Sequence, residues 1–571
     1  MLRPLVLAAL VALLAPPATA QFGLSGNTSG APLHPEQAAY DVQHYALDLA
    51  VDPDARTLEG SLTMRAAVTA PTTHIRLDLD DRLEVRATSA SGVCPPWTDC
   101  IAMPSPASMA YERLPGQVRI PFGGTVQPGD SIVVRVDYGG EPRVAPRPPW
   151  DGGLTWETTA SGEPWVATSV QGEGADLWWP TKDHPSDEPD EGVTVRLTGP
   201  ADLRLIANGR HVAREEHGDG TASETWHVTT PINNYGVAIG VGPYVELTET
   251  YASPLGYEMP VTFYVLPERE ADGARQLPGF LDAMAFLERT FGPYGSREDG
   301  YHVIHTPHLG MEHQSLIAYG SDFQDNEYGF DWLHFHELAH EWWANLGTAP
   351  DWRDFWVHES FANYAEALYA EDIARRRTGS EDAARDAYLG YIAQVRGNLR
   401  NVVPVAPRET RTTTQMYNLP EGGVNGDIYF KGSWFLHTVR YLMDDDEAFF
   451  RALRSILYPR GVALDREPSE AFRWVSTEDV IAALQRETPV DLAPYAEVYL
   501  RQPVLPRLRV RTVSGGAALQ WELPEGVLPP GAAFELPVPT ASGRIPMPGG
   551  SGRVSRRIEV DPAVALFELA E

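Results

Sequence analysis

The sequence contains little cysteine, little lysine and, beyond its first residues, no long apolar run. Its two cysteines, Cys94 and Cys100, exclude a disulfide-rich scaffold and are poor zinc ligands because no further ligand lies near them. The sequence leaves open whether they pair. Lysine occurs only at Lys182 and Lys431, although Lys and Arg together number 45. Against 78 Asp and Glu this gives a formal net charge of −33, which argues against nucleic acid and anionic membranes as partners.

The first twenty residues have the composition of an export signal. Arg3 precedes an apolar run that ends at Pro16 and is too short to span a bilayer. Ala18-Thr19-Ala20 then provides a small-residue cleavage site. The sequence therefore predicts a signal peptide over residues 1–20, export to the periplasm or the medium after cleavage near Ala20, and no membrane anchor.

Three regions of different composition follow one another along the predicted mature chain. Residues 21–248 alternate apolar and polar positions between Gly and Pro turns, which predicts β-strands. Residues 249–500 contain amphipathic helical patterns, and Ser476 three residues before Asp479 forms a capping-box pattern. Residues 501–571 again indicate short strands separated by turns. We therefore expect a multidomain α+β protein with a β-domain, a mostly helical domain and a small β-domain.

The most specific motif is H-E-L-A-H at residues 336–340. On a helix, His336 and His340 leave the same face, so both imidazoles can bind one zinc ion. Glu359 follows after eighteen intervening residues and supplies a third ligand from a second helix predicted near residues 355–374. Three ligands leave a fourth position for water, as in catalytic zinc sites. Glu337, beside the first ligand, can reach that water as a general base.

The residues around the motif favour a buried helix. Leu333 and Trp342 are apolar and lie near helical spacing, and Gly347 marks the predicted C-terminal stop. A buried helix seldom carries two histidines and a glutamate without partners, because unpaired buried polar groups are costly. On the second helix Glu366 shares a face with Glu359. It could accept a hydrogen bond from a ligand histidine, although a surface carboxylate explains it equally well.

These residues resemble the aminopeptidase N family of gluzincin zinc peptidases. That family has the same eighteen residues between its second histidine and its ligand glutamate. Thermolysin-like endopeptidases carry an aspartate where this chain has Asn363. The resemblance implies a saddle-like N-terminal β-sheet domain, a thermolysin-like catalytic domain and a small C-terminal domain of β-sandwich type. It also implies a short form, without the large helical C-terminal domain of longer relatives.

The resemblance extends to residues that recognise the substrate. Leu309-Gly310-Met311-Glu312-His313 matches the family's Gly-x-Met-Glu-Asn, with Leu309 and His313 as departures. By resemblance Glu312 binds the free α-amine of a peptide, and Met311 helps to form the substrate pocket. Gln171-Gly172-Glu173 matches the family's Gln-x-Glu/Gln. This implies that Glu173 joins Glu312 at the amine and that Gln171 lines the pocket of the first side chain.

Tyr429 begins Tyr429-Phe430-Lys431-Gly432, which matches the family's Tyr-x-Lys-Gly. The resemblance implies that its neutral phenol donates a hydrogen bond to the oxyanion of the reaction. The alternative is a core tyrosine at a helix start. His302, His305 and His308 are three residues apart, a spacing that fits neither a strand face nor two ligands four apart on a helix. We expect these histidines on a strand and loop that lead to Glu312, and not at a second metal site.

Together the motifs predict an exported aminopeptidase that binds one Zn²⁺ per chain and removes the N-terminal residue of peptides with a free N-terminus. Two alternatives remain open at this point. One is a hydrolase for a non-peptide substrate, such as an epoxide, at the same zinc site. The other is a catalytically silent exported protein that binds peptides. The preferred first residue and the oligomeric state cannot be read from the sequence.

Overall fold

A computed structural model describes residues 29–94, 110–459, 471–555 and 558–570. The predicted signal peptide and Cys100 lie outside these residues. Within them, the chain has a β-rich N-terminal region, a helical middle region and a C-terminal region of β-strands. The predicted fold class is confirmed.

The N-terminal region consists of three antiparallel or mixed sheets. A seven-stranded sheet has the order β12-β13-β10-β1-β2-β7-β4, a four-stranded sheet the order β11-β14-β9-β8, and a three-stranded sheet the order β3-β6-β5. The strands are β1 (Tyr40–Asp52), β2 (Thr57–Val68), β3 (Thr72–Asp78), β4 (Leu83–Cys94), β5 (Glu112–Leu114), β6 (Gln117–Val126), β7 (Ser131–Gly140), β8 (Gly153–Thr158), β9 (Pro164–Ser169), β10 (Val193–Pro200), β11 (Arg204–Ala207), β12 (Arg210–Glu216), β13 (Thr221–His227) and β14 (Ile239–Gly242).

Alternation of side chains explains the large sheet. Tyr45, Leu47 and Leu49 on β1 are buried at every second position, as expected for a strand with one face on the core. β1 pairs antiparallel with β2 and parallel with β10. Strand β1 at the centre of the sheet is thus hydrogen-bonded to a neighbouring strand on each side, and the loops between the strands remain available to form the site.

A five-stranded sheet opens the middle region, in the order β15-β16-β17-β19-β18. Its strands are β15 (Val245–Ala252), β16 (Glu258–Val265), β17 (Tyr301–His305), β18 (Gly310–Met311) and β19 (Leu316–Tyr319). Residue 248, after which the sequence predicts a domain boundary, lies in β15, and β15 pairs with β16. His302 and His305 lie on β17 and His308 in the next loop, which confirms the predicted strand and loop. Burial lowers the pKa of each of these histidines to about 4.

The helices lie mostly in the middle region, as the amphipathic patterns of residues 249–500 predicted. The Ser476 capping box is present at the start of α9. The helices are α1 (Pro35–Ala38), α2 (Glu270–Phe291), α3 (Trp332–Ala339), α4 (Trp356–Thr378), α5 (Glu381–Arg396), α6 (Thr413–Tyr417), α7 (Asp427–Met443), α8 (Asp446–Leu457), α9 (Thr477–Arg486) and α10 (Ala493–Ala496). β20 (Gly347–Thr348) and β21 (Arg473–Trp474) form a short parallel pair beside them.

The C-terminal region begins after a helical segment that ends at Arg501. Its strands are β22 (Arg507–Val513), β23 (Gly516–Glu522), β24 (Val538–Thr540), β25 (Gly543–Ile545), β26 (Ser551–Val554) and β27 (Glu568–Leu569). They form one four-stranded sheet, β26-β23-β22-β27, and the hairpin β24-β25. Across the residues that the structure describes, every helix is too short or too polar to cross a membrane.

Candidate metal centre and active site

Two consecutive helices, α3 and α4, carry the three predicted zinc ligands. Asp331 caps α3 by accepting a hydrogen bond from His334 N at 3.1 Å. The helix ends at His340, earlier than the predicted stop near Gly347. It ends there because the backbone turns at Trp343, whose carbonyl oxygen accepts a hydrogen bond from His340 Nδ1 at 3.0 Å. This bond fixes the orientation of the His340 ring.

The distances within the triad of His336, His340 and Glu359 fit a tetrahedral zinc ion. The two Nε2 atoms are 3.3 Å apart, and Glu359 Oε2 lies 3.4 Å from His336 Nε2 and 3.5 Å from His340 Nε2. Tetrahedral zinc with bonds of about 2.0–2.1 Å separates its ligand atoms by roughly 3.3–3.4 Å. Both Nδ1 atoms face acceptors that favour a proton on that nitrogen, which leaves Nε2 of each ring as the atom directed at a common point.

The electrostatic surroundings of the triad favour a cation. Glu359 Oε2 is buried without a hydrogen-bond partner, which is costly unless a positive charge is bound. Burial lowers the pKa of His336, but hydrogen bonds and charge from Glu359 and Glu366 outweigh it and hold that pKa well above its ordinary value. The donor set of two imidazoles and a carboxylate therefore fits zinc in type, spacing and charge.

Glu366 lies behind His336 as the shared helix face predicted. Its Oε1 accepts hydrogen bonds from His336 Nδ1 at 2.6 Å and from Trp332 Nε1 at 3.0 Å. Its Oε2 accepts from Asn363 Nδ2 at 3.1 Å and from the hydroxyl of Tyr391. All its acceptor sites are thus used to hold one ligand ring and its neighbours in place. The structure rules out the alternative of a surface carboxylate, since Glu366 is fully buried.

The edge strand β18 ends at Met311, and Met311 and the following Glu312 line the same cleft as Glu337. A Cβ atom at Gly310 would collide with Glu337 Oε1 and with Leu333, so only glycine allows this close approach of the strand to α3. Burial raises the pKa of the Glu337 carboxyl above its ordinary value, against the opposing charge of His336. A raised pKa suits a group that takes up a proton during a reaction.

Tyr429 reaches the site because α7 packs tightly on α4. A Cβ atom at Gly432 would collide with the Ser360 side chain, and Ser433 Oγ donates a hydrogen bond to the Ser360 carbonyl oxygen at 2.8 Å. The ring of Tyr429 stacks against His336 with 6.4 Å between ring centroids. Burial and the nearby Glu359 carboxylate raise the pKa of Tyr429 well above its ordinary value, so its phenol stays a hydrogen-bond donor.

Glu312 and Gln171 meet in the same cleft, although 141 residues separate them. The Gln171 amide donates to Glu312 Oε1, and Tyr235 donates to the same oxygen at 3.1 Å. Tyr417 in turn donates its hydroxyl to Gln171 Oε1 at 2.6 Å and lies 3.5 Å from Glu359 Oε1. Burial raises the pKa of Glu312, partly offset by the charge of His340.

One cleft brings most of the predicted residues together. Its lining includes the triad, Glu337, Glu312, Gln171, Met311, Tyr429 and Glu366. The structure does not bring Glu173 into this group: its carboxylate accepts a hydrogen bond from Gly152 N at 2.7 Å and lies 3.8 Å from Arg143 Nη1. Sequence reasoning missed Trp150, Tyr417 and Trp332, which also line the cleft. For Trp332 a signal existed, since it lies four residues before His336 on the ligand face of α3.

Comparisons with known proteins agree with this geometry. The peptidase family M1 domain matches residues 314–487, which include the triad, Glu337 and Tyr429. Aminopeptidase B of Mus musculus is 23% identical over 470 residues, covering 76% of this chain and 67% of the relative. Leucine aminopeptidase 2 of Vanderwaltozyma polyspora is 26% identical over 283 residues, covering 47% of this chain. The chain spans only 38% of the length of that second relative.

A solved structure shares the fold over most of the chain. It is a variant of the M1 zinc metallopeptidase from Deinococcus radiodurans bound to a Tyr-Ser-Ala substrate. The likeness has a TM-score of 0.62 at 24% identity and covers 82% of this chain and 95% of that one. Residues 314–487 thus match the peptidase family M1 domain, and the related aminopeptidases and the shared fold agree with that match.

Proposed function

We propose that this protein is a zinc-dependent aminopeptidase that removes the N-terminal residue from peptides. His336, His340 and Glu359 would hold one Zn²⁺ per chain. The observation that carries the proposal is that the Glu312 carboxylate faces the same cleft as the triad and Glu337. A carboxylate beside the metal pairs with a substrate ammonium, so only the first peptide bond reaches the reacting groups.

Each further residue has a distinct task in the proposed reaction. When bound, zinc supplies Lewis-acid chemistry that lowers the pKa of a water ligand and polarises the scissile carbonyl. Glu337 accepts a proton from the attacking water and passes it to the leaving amine. Tyr429 donates a hydrogen bond to the oxyanion that develops on the carbonyl oxygen. Glu366 keeps the Nδ1 proton of His336 in place, so that Nε2 remains the ligand atom.

Glu312 and Gln171 are assigned to the substrate amine, and Met311 to the wall of the pocket. Gln171 and Tyr235 both donate to Glu312 Oε1, so Oε2 is the oxygen left to accept from an ammonium. No observation favours hydrolysis of a non-peptide substrate or a catalytically silent peptide-binding role. The residues proposed as general base, metal ligands and amine-binding carboxylate all line one cleft, which favours an aminopeptidase.

The test compares aminoacyl substrates that have a free amine with the same substrates blocked by an N-acetyl group. We expect hydrolysis of the free form only, loss of activity with a zinc chelator, and recovery on adding Zn²⁺. The Glu312→Gln variant should bind zinc normally but hydrolyse the free-amine substrates far more slowly. Equal cleavage of blocked and free substrates would reject the amine clamp, and full activity without metal would reject the zinc mechanism.

We also propose that residues 1–20 are removed on export, on the basis of their composition alone. N-terminal sequencing of the protein isolated from the producing cells and from the medium tests this proposal. A mature chain that begins near Gln21 is expected, whereas an N-terminus at Met1 in every fraction would contradict it.

A further inference from the structure

Glu173 lies behind a wall of the cleft and does not face into it. The residue is only 1% exposed. Oε2 accepts a hydrogen bond from Gly152 N at 2.7 Å, and Oε1 lies 3.8 Å from Arg143 Nη1. The carboxylate is therefore occupied by groups of the protein. A substrate ammonium in the cleft would have to displace these groups to reach it.

Two partners of Glu173, Arg143 and Gly152, flank residues 144–151. We call this loop the wall loop. At its base, Leu154 N donates to Arg143 O at 2.8 Å and Ala145 N donates to Leu154 O at 2.9 Å. The Arg143 guanidinium also donates to Asp151 Oδ1 at 2.6 Å, in a buried ion pair. The base of the loop is thus fixed by backbone and side-chain bonds.

The tip of the wall loop forms part of the cleft. Pro149 and Trp150 line the cleft together with Gln171 and Glu312. Trp150 lies two residues before Gly152, and Gln171 lies two residues before Glu173. The bond between Gly152 and Glu173 therefore joins the wall loop to the strand end that carries Gln171, at the end of the cleft assigned to the substrate amine.

Position 152 has no room for a side chain. A Cβ atom at this position would lie 2.9 Å from Glu173 Oε2 and would collide with Ser169 O. The glycine backbone thus approaches the carboxylate directly, and its N–H makes a charge-assisted hydrogen bond with it. Loss of the acceptor would leave a buried backbone N–H without a partner, which destabilises the local conformation.

From these contacts we infer that Glu173 is a positioning residue. It holds the wall loop so that Trp150 limits the space for the side chain of the first substrate residue, and it does not bind the substrate amine. The inference rests on the proposed aminopeptidase function for its kinetic consequences, but not for its structural ones. Under this inference Glu312 binds the substrate amine, and Trp150 selects the size of the side chain of the first substrate residue.

Two substitutions at Glu173 separate positioning from amine binding. In Glu173→Gln the amide oxygen can still accept from Gly152 N, whereas Glu173→Ala removes the acceptor. We expect E173Q to stay within about threefold of the wild type in kcat/KM, and E173A to shift the ratio of kcat/KM between large and small first side chains by about tenfold or more in favour of the large ones, because Trp150 no longer limits the space. Trp150→Ala and Arg143→Met should change the ratio of kcat/KM between large and small first residues in the same direction as E173A.

Hydrogen exchange of residues 144–154 provides a readout that does not depend on activity. The Gly152 amide should be protected in the wild type and E173Q, and should exchange about tenfold faster or more in E173A. Glu157→Gln, at an exposed position of β8, is the matched control and should change neither exchange nor kinetics. E312Q should lower kcat/KM for all first residues alike.

The outcomes distinguish failure of this inference from failure of the proposed function. If the wild type cleaves no aminoacyl substrate, the function is wrong, and the exchange experiment still decides the role of Glu173. Unchanged exchange in E173A would overturn the inference. So would a uniform loss of activity in E173Q, similar to that of E312Q, with normal exchange in the wall loop. That second result would return Glu173 to the substrate amine.

Discussion

Two glutamates near the triad, Glu337 and Glu366, have the same side chain but different surroundings. Glu366 is fully buried and accepts hydrogen bonds from four protein donors. Glu337 lines the cleft beside the glycine of the edge strand. A saturated carboxylate is suited to orienting a ligand, and one that faces the cleft is suited to moving a proton.

Replacement of Glu337 by glutamine tests the proton transfer. The amide is similar in size but cannot take up a proton, so kcat should fall by roughly 10²–10⁴-fold, the usual contribution of a general base. Zinc content, measured by metal analysis of the purified variant, should stay at one ion per chain. A variant that keeps wild-type kcat would show that another group accepts the proton.

Replacement of Glu366 by glutamine tests the support of the ligand ring. Four donors point at its two oxygens, and an amide nitrogen cannot accept from the donors on its side. We expect zinc affinity to fall by about 10–100-fold, measured by competition with a chelator. Asp386→Asn, at an exposed position of α5, serves as the control. Unchanged affinity in E366Q would mean that the carboxylate does not act on the metal.

The sequence indicated that His336, His340 and Glu359 could meet, but it indicated less about the residues around them, for a physical reason. His336 and His340 are four residues apart at one helix, and Glu359 and Glu366 are seven apart on the next, so the direction shared by each pair can be read from spacing. Tyr417 and Trp150 come from loops or short elements without a period, and only the folded chain shows that they line the cleft. Glu173 matches a motif, but the motif does not specify which way its side chain points.

At the scale of elements, the short helix α6 connects the two main regions of the molecule. A capping box between Thr412 and Gln415 starts it, and the Thr413 hydroxyl donates to the carbonyl oxygen of Gly172. Tyr417 at its end then donates to Gln171. The helix thus fixes the position of the loop that carries Gln171. Nothing in the pattern of this five-residue segment predicted that contact, because it depends on tertiary structure.

Tyr417→Phe tests whether this contact matters for substrate binding. Without the hydroxyl, the Gln171 amide is free to rotate and no longer presents its NH₂ group to Glu312 in one orientation. KM for free-amine substrates should rise by about 3- to 10-fold, the range expected for one hydrogen bond. Thermal stability should change little, because the ring remains. An effect on kcat alone would instead point to a role of Tyr417 at the oxyanion.

At the scale of the whole molecule, the cleft is assembled from parts of the chain that lie far apart. Its lining runs from Pro149 in the N-terminal region to Phe430 on α7. Composition predicted the order of β, helical and β regions, because side-chain periodicity is local. Pairing between strands, such as that of β15 with β16, cannot be read from one sequence.

Lys431, one of the two lysines, connects the helical region to the segment before the C-terminal sheet. Its ammonium is fully buried and donates to Gln502 O at 2.7 Å. Burial lowers the pKa of Lys431 to about 7, although Asp427 opposes the shift. Since its ordinary pKa is near 10.5, the unfolded chain binds the proton more tightly than the folded one. Stability from this residue is therefore lowest below pH 7 and rises between pH 7 and 10.

Lys431→Met keeps the length of the side chain and removes this titration. As the pH rises from about 7 to 10, the stability difference should shift in favour of the wild type by roughly 1.4 kcal/mol per pH unit at most. The difference in the free energy of unfolding is measured by chemical unfolding of both proteins at several pH values. The unfolding transition of the helical region is the one followed. Arg385→Met, at an exposed position of α5, should show no such dependence. A constant difference between K431M and the wild type over this range would mean that Lys431 keeps its proton when folded, and that Asp427 compensates for its burial.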